Sequence, residues 1–411
     1  LVHLIEAAAD WLNLRRLDTA PPPGLEHVYP ADDYRRMQRH ATATIRLGLL
    51  ESFMLLAVFL VFWLAGGFGW LDSLSRGLGW PLVPTGLVYA GALYLGSHLV
   101  KLPFAVYDTF VIEQRFGFNK TTPGLFVGDE LRSLLLTAVL GGGLFAAMCA
   151  LFAYGGEWGW LYAWLTVSAV SVLLMYIGPT LIMPLFNRFE KLPAGELRER
   201  IVAFADANGF PLDDIFEMDG SKRSTRANAF FAGFGKHKRI VLFDTLIQKH
   251  PADELVAILA HEIGHFKLRH ILQRMAGGIL LTGAALWLVS RALDWQPLYD
   301  AFLVAQPSVP VGLVLCGIVF GPLSSLIGIV SAWVSRRHEF AADRFAARTT
   351  GDPQALASAL VTLTRDNLGN LDPHPLVVAL HHSHPPLGQR LAALDAMATG
   401  GAARRPSAAA G

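Results

Sequence analysis

Residues 251–293 read PADELVAILAHEIGHFKLRHILQRMAGGILLTGAALWLVSRAL. The first half is helix-forming from about Ala252, with Asp253 and Glu254 at its start and apolar residues on most of its faces. The second half, 276–293, is apolar enough to enter a bilayer, which takes ~20 such residues. One helix is therefore expected to run unbroken from water into a membrane. That junction decides the fold class: a polar, folded part joined to spanning helices.

Outward from it, five more apolar stretches lie at about 51–71, 82–100, 132–153, 160–186 and 311–334, which makes six candidate spans. Gly66-Gly67 and Gly141–Gly143 lower helix propensity, but in a membrane they permit close helix contact. Pro179, Pro184 and Pro322 are expected to kink or end their helices. The composition agrees. The 411 residues are 53% hydrophobic and 16% charged, against roughly one quarter charged in soluble domains. A single core rarely grows past ~250–300 residues, so a membrane part plus a smaller polar part is the natural partition. All Lys and Arg except Arg76, Arg132 and Arg291 fall in 1–50, 101–131, 187–275 or 335–411. That bias places these four segments in the cytoplasm.

The net charge of +1 offers nucleic acid no general attraction. Cys149 and Cys316 sit in apolar runs and read as buried thiols. Residues 1–12 are amphipathic, unlike a cleavable signal peptide. The expected organisation is membrane helices with a cytoplasmic loop (1–186), a catalytic insert (187–275), two further spans (276–334), a C-terminal catalytic segment (335–398) and a disordered tail (399–411). Within the insert, a helix near 193–208 ends at Gly209 and Pro211. Two strand-like runs follow, Asn228–Phe234 and Arg239–Phe243, with a turn at Gly235–Lys238.

A helix puts His261 and His265 on one face, one turn apart, where both imidazoles reach one zinc ion at ~2.0–2.1 Å. Glu262 projects beside that face and is placed to take a proton from water rather than bind metal. Zinc catalysis needs a third ligand. A metzincin arrangement would continue with a glycine and a histidine where this chain has Leu268 and Ile271, so that class is excluded. A carboxylate from a second helix remains. His338–Asp343 offers Glu339, with Asp343 one turn on to accept the N–H of a zinc histidine and fix its tautomer. The same residues also read as a solvated helix face after a basic span end. His270, just past His265, reads as a helix-surface residue, and His338, His381 and His382 carry no assigned role.

These motifs stand in a wider context. The blocks Leu102–Thr122 (LPFAVYDTFVIEQRFGFNKTT), Pro179–Phe189 (PTLIMPLFNRF), Asp219–Ser224 (DGSKRS), Asn228–Leu246 (NAFFAGFGKHKRIVLFDTL), Glu339–Asp343 (EFAAD) and His384–Leu391 (HPPLGQRL) resemble the type I CAAX prenyl proteases, membrane gluzincins that cleave behind a prenylated cysteine. The resemblance implies an all-α polytopic protein: a barrel of six to seven transmembrane helices around a water-filled chamber, with a small α+β zincin-like domain at its cytoplasmic end. It implies one zinc per chain on His261, His265 and Glu339, Glu262 as general base and Asp343 behind the ligands. His384 and Arg390 match family positions near the active site, suited to an oxyanion or a substrate carboxylate. The family usually has seven spans, and residues 1–17 resemble the tail of its first, which implies that this chain begins part-way along that helix.

The expected partners are the bilayer and a peptide or protein substrate with a lipidated C-terminus. Asn228–Phe234 can act as an edge strand that pairs with an extended peptide, with Asn228 and Phe230 as substrate contacts and Arg223 and Arg226 as weaker ones. The ordinary reading of that run is a plain hairpin packed on the zinc helix. The Ala-, Arg- and Gly-rich composition hints at a bacterial source and hence the inner membrane (the endoplasmic reticulum in a eukaryote). Prenylation is uncommon in bacteria, so a quality-control metallopeptidase without a prenyl requirement is the alternative. An intramembrane site-two-type protease fits poorly, because the zinc helix carries Asp253, Glu254, Lys267 and Arg269. A non-enzymatic transporter or scaffold with a vestigial site is opposed by the intact HEIGH, EFAAD and HPP set.

Overall fold

Backbone polar groups in a bilayer must be satisfied within the protein, so long apolar stretches there become helices. The computed structural model describes residues 2–17, 20–234 and 237–402. The chain begins with α1 (Val2–Arg16) and α2 (Ala31–Leu64), which pack on each other. At 1.5 Å per residue, α2 is about 51 Å long, well over the ~30 Å hydrocarbon core, so its polar first half stands outside. It stops at Ala65, and Gly66, at φ 77°, turns the chain into α3 (Gly67–Gly77). The expected stretch 51–71 is therefore two helices. A left-handed residue cannot continue a right-handed helix, and glycine adopts that conformation without a Cβ penalty.

Next come α4 (Leu82–Tyr107), α5 (Pro123–Leu136), α6 (Gly142–Tyr154) and α7 (Gly159–Ile177). Residues 137–141 join α5 to α6 in one continuous span, and irregular helical turns extend α7 through Pro179 and Pro184 to Leu185. The insert follows: β1 (Phe189–Lys191), α8 (Glu196–Ala207), β2 (Leu212–Met218), β3 (Ala229–Phe234), β4 (His237–Phe243), α9 (Asp244–Lys249) and α10 (Ala252–Lys267). The chain then returns to the membrane in α11 (His270–Ala292), the short α12 (Gln296–Ala301), α13 (Val309–Val319) and α14 (Gly321–Thr350). It closes with α15 (Pro353–Asp366), α16 (Pro375–His381) and α17 (Leu387–Ala402). Residues 399–402 thus belong to a helix. The rest of the expected tail, and Gly235 and Lys236 of the expected turn, lie outside the described residues.

Among the described residues, four helices are long and apolar enough to cross a membrane: Ala31–Leu64, Pro123–Tyr154, Gly156–Leu185 and His270–Ala292. The pair α13 and α14, bent by 50° just before Pro322, meets the same test when the two helices are taken together. The expected stretch 82–100 lies in α4, which is long enough to cross but carries His98 and Lys101 and falls outside that set. At most 17% of the apolar window in any of the four is buried. Helices in a solid bundle would bury a whole face. Here α4 packs on α6 and α13, α6 on α7, α7 on α11, and α11 on α13, so the contacts close a ring. At the end far from the sheet, Phe68, Leu71, Tyr89, Cys149, Leu293, Tyr299, Val311 and Cys316 form a dense core.

At the other end the sheet has the order β1-β2-β4-β3. β1 and β2 are antiparallel, β2 and β4 parallel, and β3 pairs antiparallel with β4 alone, leaving it at the edge. Ile201, Ile215, Ile240, Leu242, Leu246, Leu255 and Ile263 fill the space between the sheet and α8, α9 and α10. Two arginines fasten this domain to the membrane helices. Arg223 donates to both carboxylate oxygens of Asp129 at 2.8 and 3.0 Å, and to Asn187 and the Phe186 carbonyl at 2.7 Å each. Arg226 donates to Glu113 at 2.8 and 3.0 Å and lies 4.4 Å over Phe118.

Candidate metal centre

The helix that bears His261 and His265 does not run unbroken into the membrane. It ends at Lys267, and Arg269, at φ 58°, starts a new helix in a new direction. A left-handed non-glycine residue costs roughly 1–2 kcal/mol, so the surrounding contacts must enforce it. One such contact is His270. It is 5% exposed, not on the helix surface, and its Nδ1 lies 3.0 Å from His265 Nδ1. Its ring stacks on His338 at 3.9 Å.

α14 crosses α10 at Gly264. A Cβ there would lie 3.2 Å from the Ala342 Cα and 3.1 Å from Phe345. Glycine therefore lets the α14 backbone approach closely enough for Glu339 to reach both histidines. Glu339 Oε2 is 3.4 Å from His261 Nε2, Oε1 is 3.2 Å from His265 Nε2, and the two Nε2 atoms are 3.1 Å apart. Tetrahedral zinc with bonds of ~2.0–2.1 Å sets its donor atoms about 3.3–3.4 Å apart. Asp343 Oδ1 accepts the Nδ1–H of His261 at 2.8 Å, which leaves the Nε2 lone pair facing His265. Glu339 is 3% exposed, and its Oε2 also lies 2.7 Å from His384 Nδ1. Two imidazole nitrogens and a buried carboxylate that converge on one point are a donor set that fits a metal ion.

Behind the donors, Asp343 is 0% exposed and also accepts from Arg390, at 2.8 Å from Nε and 2.6 Å from Nη2. Burial alone would depress the His261 pKa, but the Asp343 and Glu339 carboxylates beside it outweigh that and raise it, so a cation at Nε2 would compete there with a proton. Glu262 is half-buried and forms no hydrogen bond or ion pair among the described residues. His384, in the loop between α16 and α17, is 64% exposed, with Nδ1 2.7 Å from Glu339 Oε2.

His261, Glu262, His265, Glu339, Asp343, His384 and Arg390 thus converge. Phe230 sits on the edge strand, with Asn228 just before it, and there Phe231 meets Phe266, the neighbour of His265, edge-on at 6.5 Å. Asn228 Oδ1 accepts from Ala229 N at 2.9 Å. Arg223 and Arg226 are committed to Asp129 and Glu113. The sequence reading missed His270, whose signal was a fifth-residue spacing from His265, and the clearance at Gly264, which was visible only as a glycine inside the motif.

Family models cover nearly the whole chain. A CAAX prenyl protease N-terminal model, described as five membrane helices, matches residues 10–188, and a peptidase family M48 model matches residues 191–398. The chain belongs to this family. CAAX prenyl protease 1 of Saccharomyces cerevisiae is 33% identical over 405 residues, covering 92% of this chain and 89% of its own. The CAAX prenyl protease 1 homolog of Oryza sativa subsp. japonica is 39% identical over 310 residues, 75% and 73% of the two chains. The crystal structure of S. mikatae Ste24p superposes with a TM-score of 0.90 at 33% identity, covering 96% of both chains. The protein is thus a multi-pass membrane metallopeptidase with a barrel of helices and a small sheet domain, and its substrates are peptides or proteins.

Proposed function

We propose that the metal is zinc, one ion per chain, and that the enzyme cuts near the C-terminus of prenylated CAAX-type peptides from the cytoplasmic side. The observation that carries the chemistry is the meeting of two Nε2 atoms and one carboxylate, from two helices, at 3.1–3.4 Å beside an uncommitted Glu262. His261, His265 and Glu339 would hold the ion. When bound, zinc would polarise the scissile carbonyl and acidify a water. Glu262 takes the water's proton on its carboxylate and delivers it to the leaving amine. Asp343 fixes the tautomer of His261, and Arg390, held by two hydrogen bonds, keeps that buried carboxylate charged. His384 is exposed, and with its Nδ1 against Glu339 its Nε2 can donate to the oxyanion or to the substrate's terminal carboxylate. The edge strand β3 offers backbone hydrogen bonds to an extended peptide, with Asn228 and Phe230 at its start.

The lipid part of the proposal draws on the names of the relatives and on spanning helices whose apolar faces stay unburied. The bias of Lys and Arg supports a cytoplasmic site. The test is zinc content and cleavage by the wild type and Glu262→Gln, using a farnesylated CAAX peptide and its unprenylated twin. The expected result is about one zinc in both proteins, cleavage by the wild type alone and preference for the farnesylated peptide. Equal cleavage by Glu262→Gln would end the mechanism, and equal rates on the two peptides would end the prenyl requirement.

A further inference from the structure

His384 faces Glu339 from a loop with no regular structure between His381 and Leu387. Its own exposure means that burial does not hold it in place. Another side chain does. Arg336 lies on α14, three residues before Glu339, and donates from Nη1 to the Val378 carbonyl at 2.9 Å and the His382 carbonyl at 2.7 Å. The first carbonyl belongs to the last turn of α16, where it also accepts the His382 N–H at 3.3 Å and where a cation is favoured. The second is two residues before His384. Among the described residues Arg336 has no carboxylate partner, so its charge is spent on these carbonyls. Its neighbour Arg337 points elsewhere and stacks 3.8 Å over Trp333.

We propose that Arg336 is a positioning residue for His384. α14 would then carry both the third metal ligand and the clamp that sets the imidazole beside it, so ligand and imidazole keep one geometry as the helix moves. The proposal rests on the role given to His384 above. Arg336 borders a cavity of about 1060 Å³ together with Val378, Pro386 and Gly388. Water can therefore take the guanidinium's place on the Val378 carbonyl, and the fold survives while the loop loses its fixed seat.

The experiment compares Arg336→Met, Arg336→Lys, Arg337→Met, His384→Ala and the double variant Arg336→Met/His384→Ala, each for zinc content, kcat and KM. Misplacing a catalytic group by ~1 Å costs up to about 10²-fold, so Arg336→Met is expected to lower kcat about tenfold, with KM within about twofold and zinc retained. Both clamp bonds leave one nitrogen, and lysine carries three N–H donors on one nitrogen. Arg336→Lys should therefore recover about a third or more of the wild-type kcat. Arg337→Met should match the wild type. In the His384→Ala background, Arg336→Met should have no further effect. A wild-type kcat for Arg336→Met, loss of its zinc, or a full extra loss on top of His384→Ala would each overturn the proposal. If His384→Ala alone keeps the wild-type kcat, there is nothing to position. The proposal then falls with that part of the mechanism, while the Glu262→Gln result stands on its own.

Discussion

Asp343→Asn tests whether the carboxylate behind the metal ligands acts on the metal or only on the fold. Asp343 is fully buried and accepts three hydrogen bonds, from His261 Nδ1, Arg390 Nε and Arg390 Nη2. Asparagine is nearly isosteric but has one acceptor oxygen. If that oxygen takes the Oδ1 place, it still serves His261 and Arg390 Nη2, but the amide N–H₂ then faces the Nε–H of Arg390. The hydrogen bond to His261 also loses its charge assistance, which is about half of its strength. Partners of this kind are worth about 10–100-fold in metal affinity, or about 1.4–2.8 kcal/mol at about 1.4 kcal/mol per tenfold. Separately, Arg390 is 8% exposed and would be left without its counter-charge. Breaking a buried pair costs about 3–5 kcal/mol, and the low end applies where one hydrogen bond survives.

The two effects separate in the double variant Asp343→Asn/Arg390→Met. Removing the stranded cation should restore much of the melting temperature measured by tryptophan fluorescence. Zinc affinity, from competition with a chelating dye in detergent, should stay weak. A zinc dissociation constant for Asp343→Asn within threefold of the wild type would refute the reasoning, because the carboxylate would then serve only the fold.

Three further outcomes follow from the same geometry. Gly264→Ala should push α14 away from α10 by a few tenths of an ångström and lower kcat about fivefold, a fraction of the ~10² that a 1 Å misplacement can cost. Its melting temperature should not fall in proportion, since alanine is the better helix former; an unchanged kcat would show that α14 can yield. Arg223→Met should free the sheet domain from α5, costing about 2 kcal/mol for its charge-assisted hydrogen bonds, and limited proteolysis should then cut faster within 187–250. The carboxyl of Asp214 gives a pH test. Burial would raise its pKa, but Lys191 at 2.6 Å, Arg198 at 2.8 Å and the Ile215 N–H at 2.9 Å hold it down at about 2. The folded value lies below the unfolded ~3.9, so the stabilisation is full above about pH 4 and is lost as the pH falls toward 2. Asp214→Asn should be less stable than the wild type at pH 7, by about 1 kcal/mol given its exposed partners, and the gap should close as the pH falls toward 2.

Much of the site could be read from spacing because its chemistry is local. His265 follows His261 by four positions, and any helix makes that a single face. Glu339 and Asp343 repeat the spacing on a second helix, but spacing left them open to an ordinary solvated face. The resemblance pointed to their role, and the close approach at Gly264 supplies the physical reason. Arg223 and Arg226 looked like substrate contacts because they flank an edge strand. Their partners, Asp129 and Glu113, lie roughly a hundred residues away in sequence, so their use in fastening the domain to the membrane helices had no local signal. The break at Arg269 went unread for a related reason: arginine favours helix, and only the packing of His270 against His265 and His338 makes the left-handed turn worthwhile.

The sequence by itself pointed to most of the stretches long and apolar enough to cross a membrane, to the polar segments between them, and to the helix that offers two imidazoles on one face. Hydropathy, charge bias and helical period are properties of consecutive residues and need no third dimension. Only the tertiary structure decided how close α14 comes to α10, which way the chain turns at Arg269, and that one guanidinium on α14 reaches the loop of His384. Those features depend on clearances of a few tenths of an ångström between residues tens to hundreds of positions apart, and no local preference encodes them.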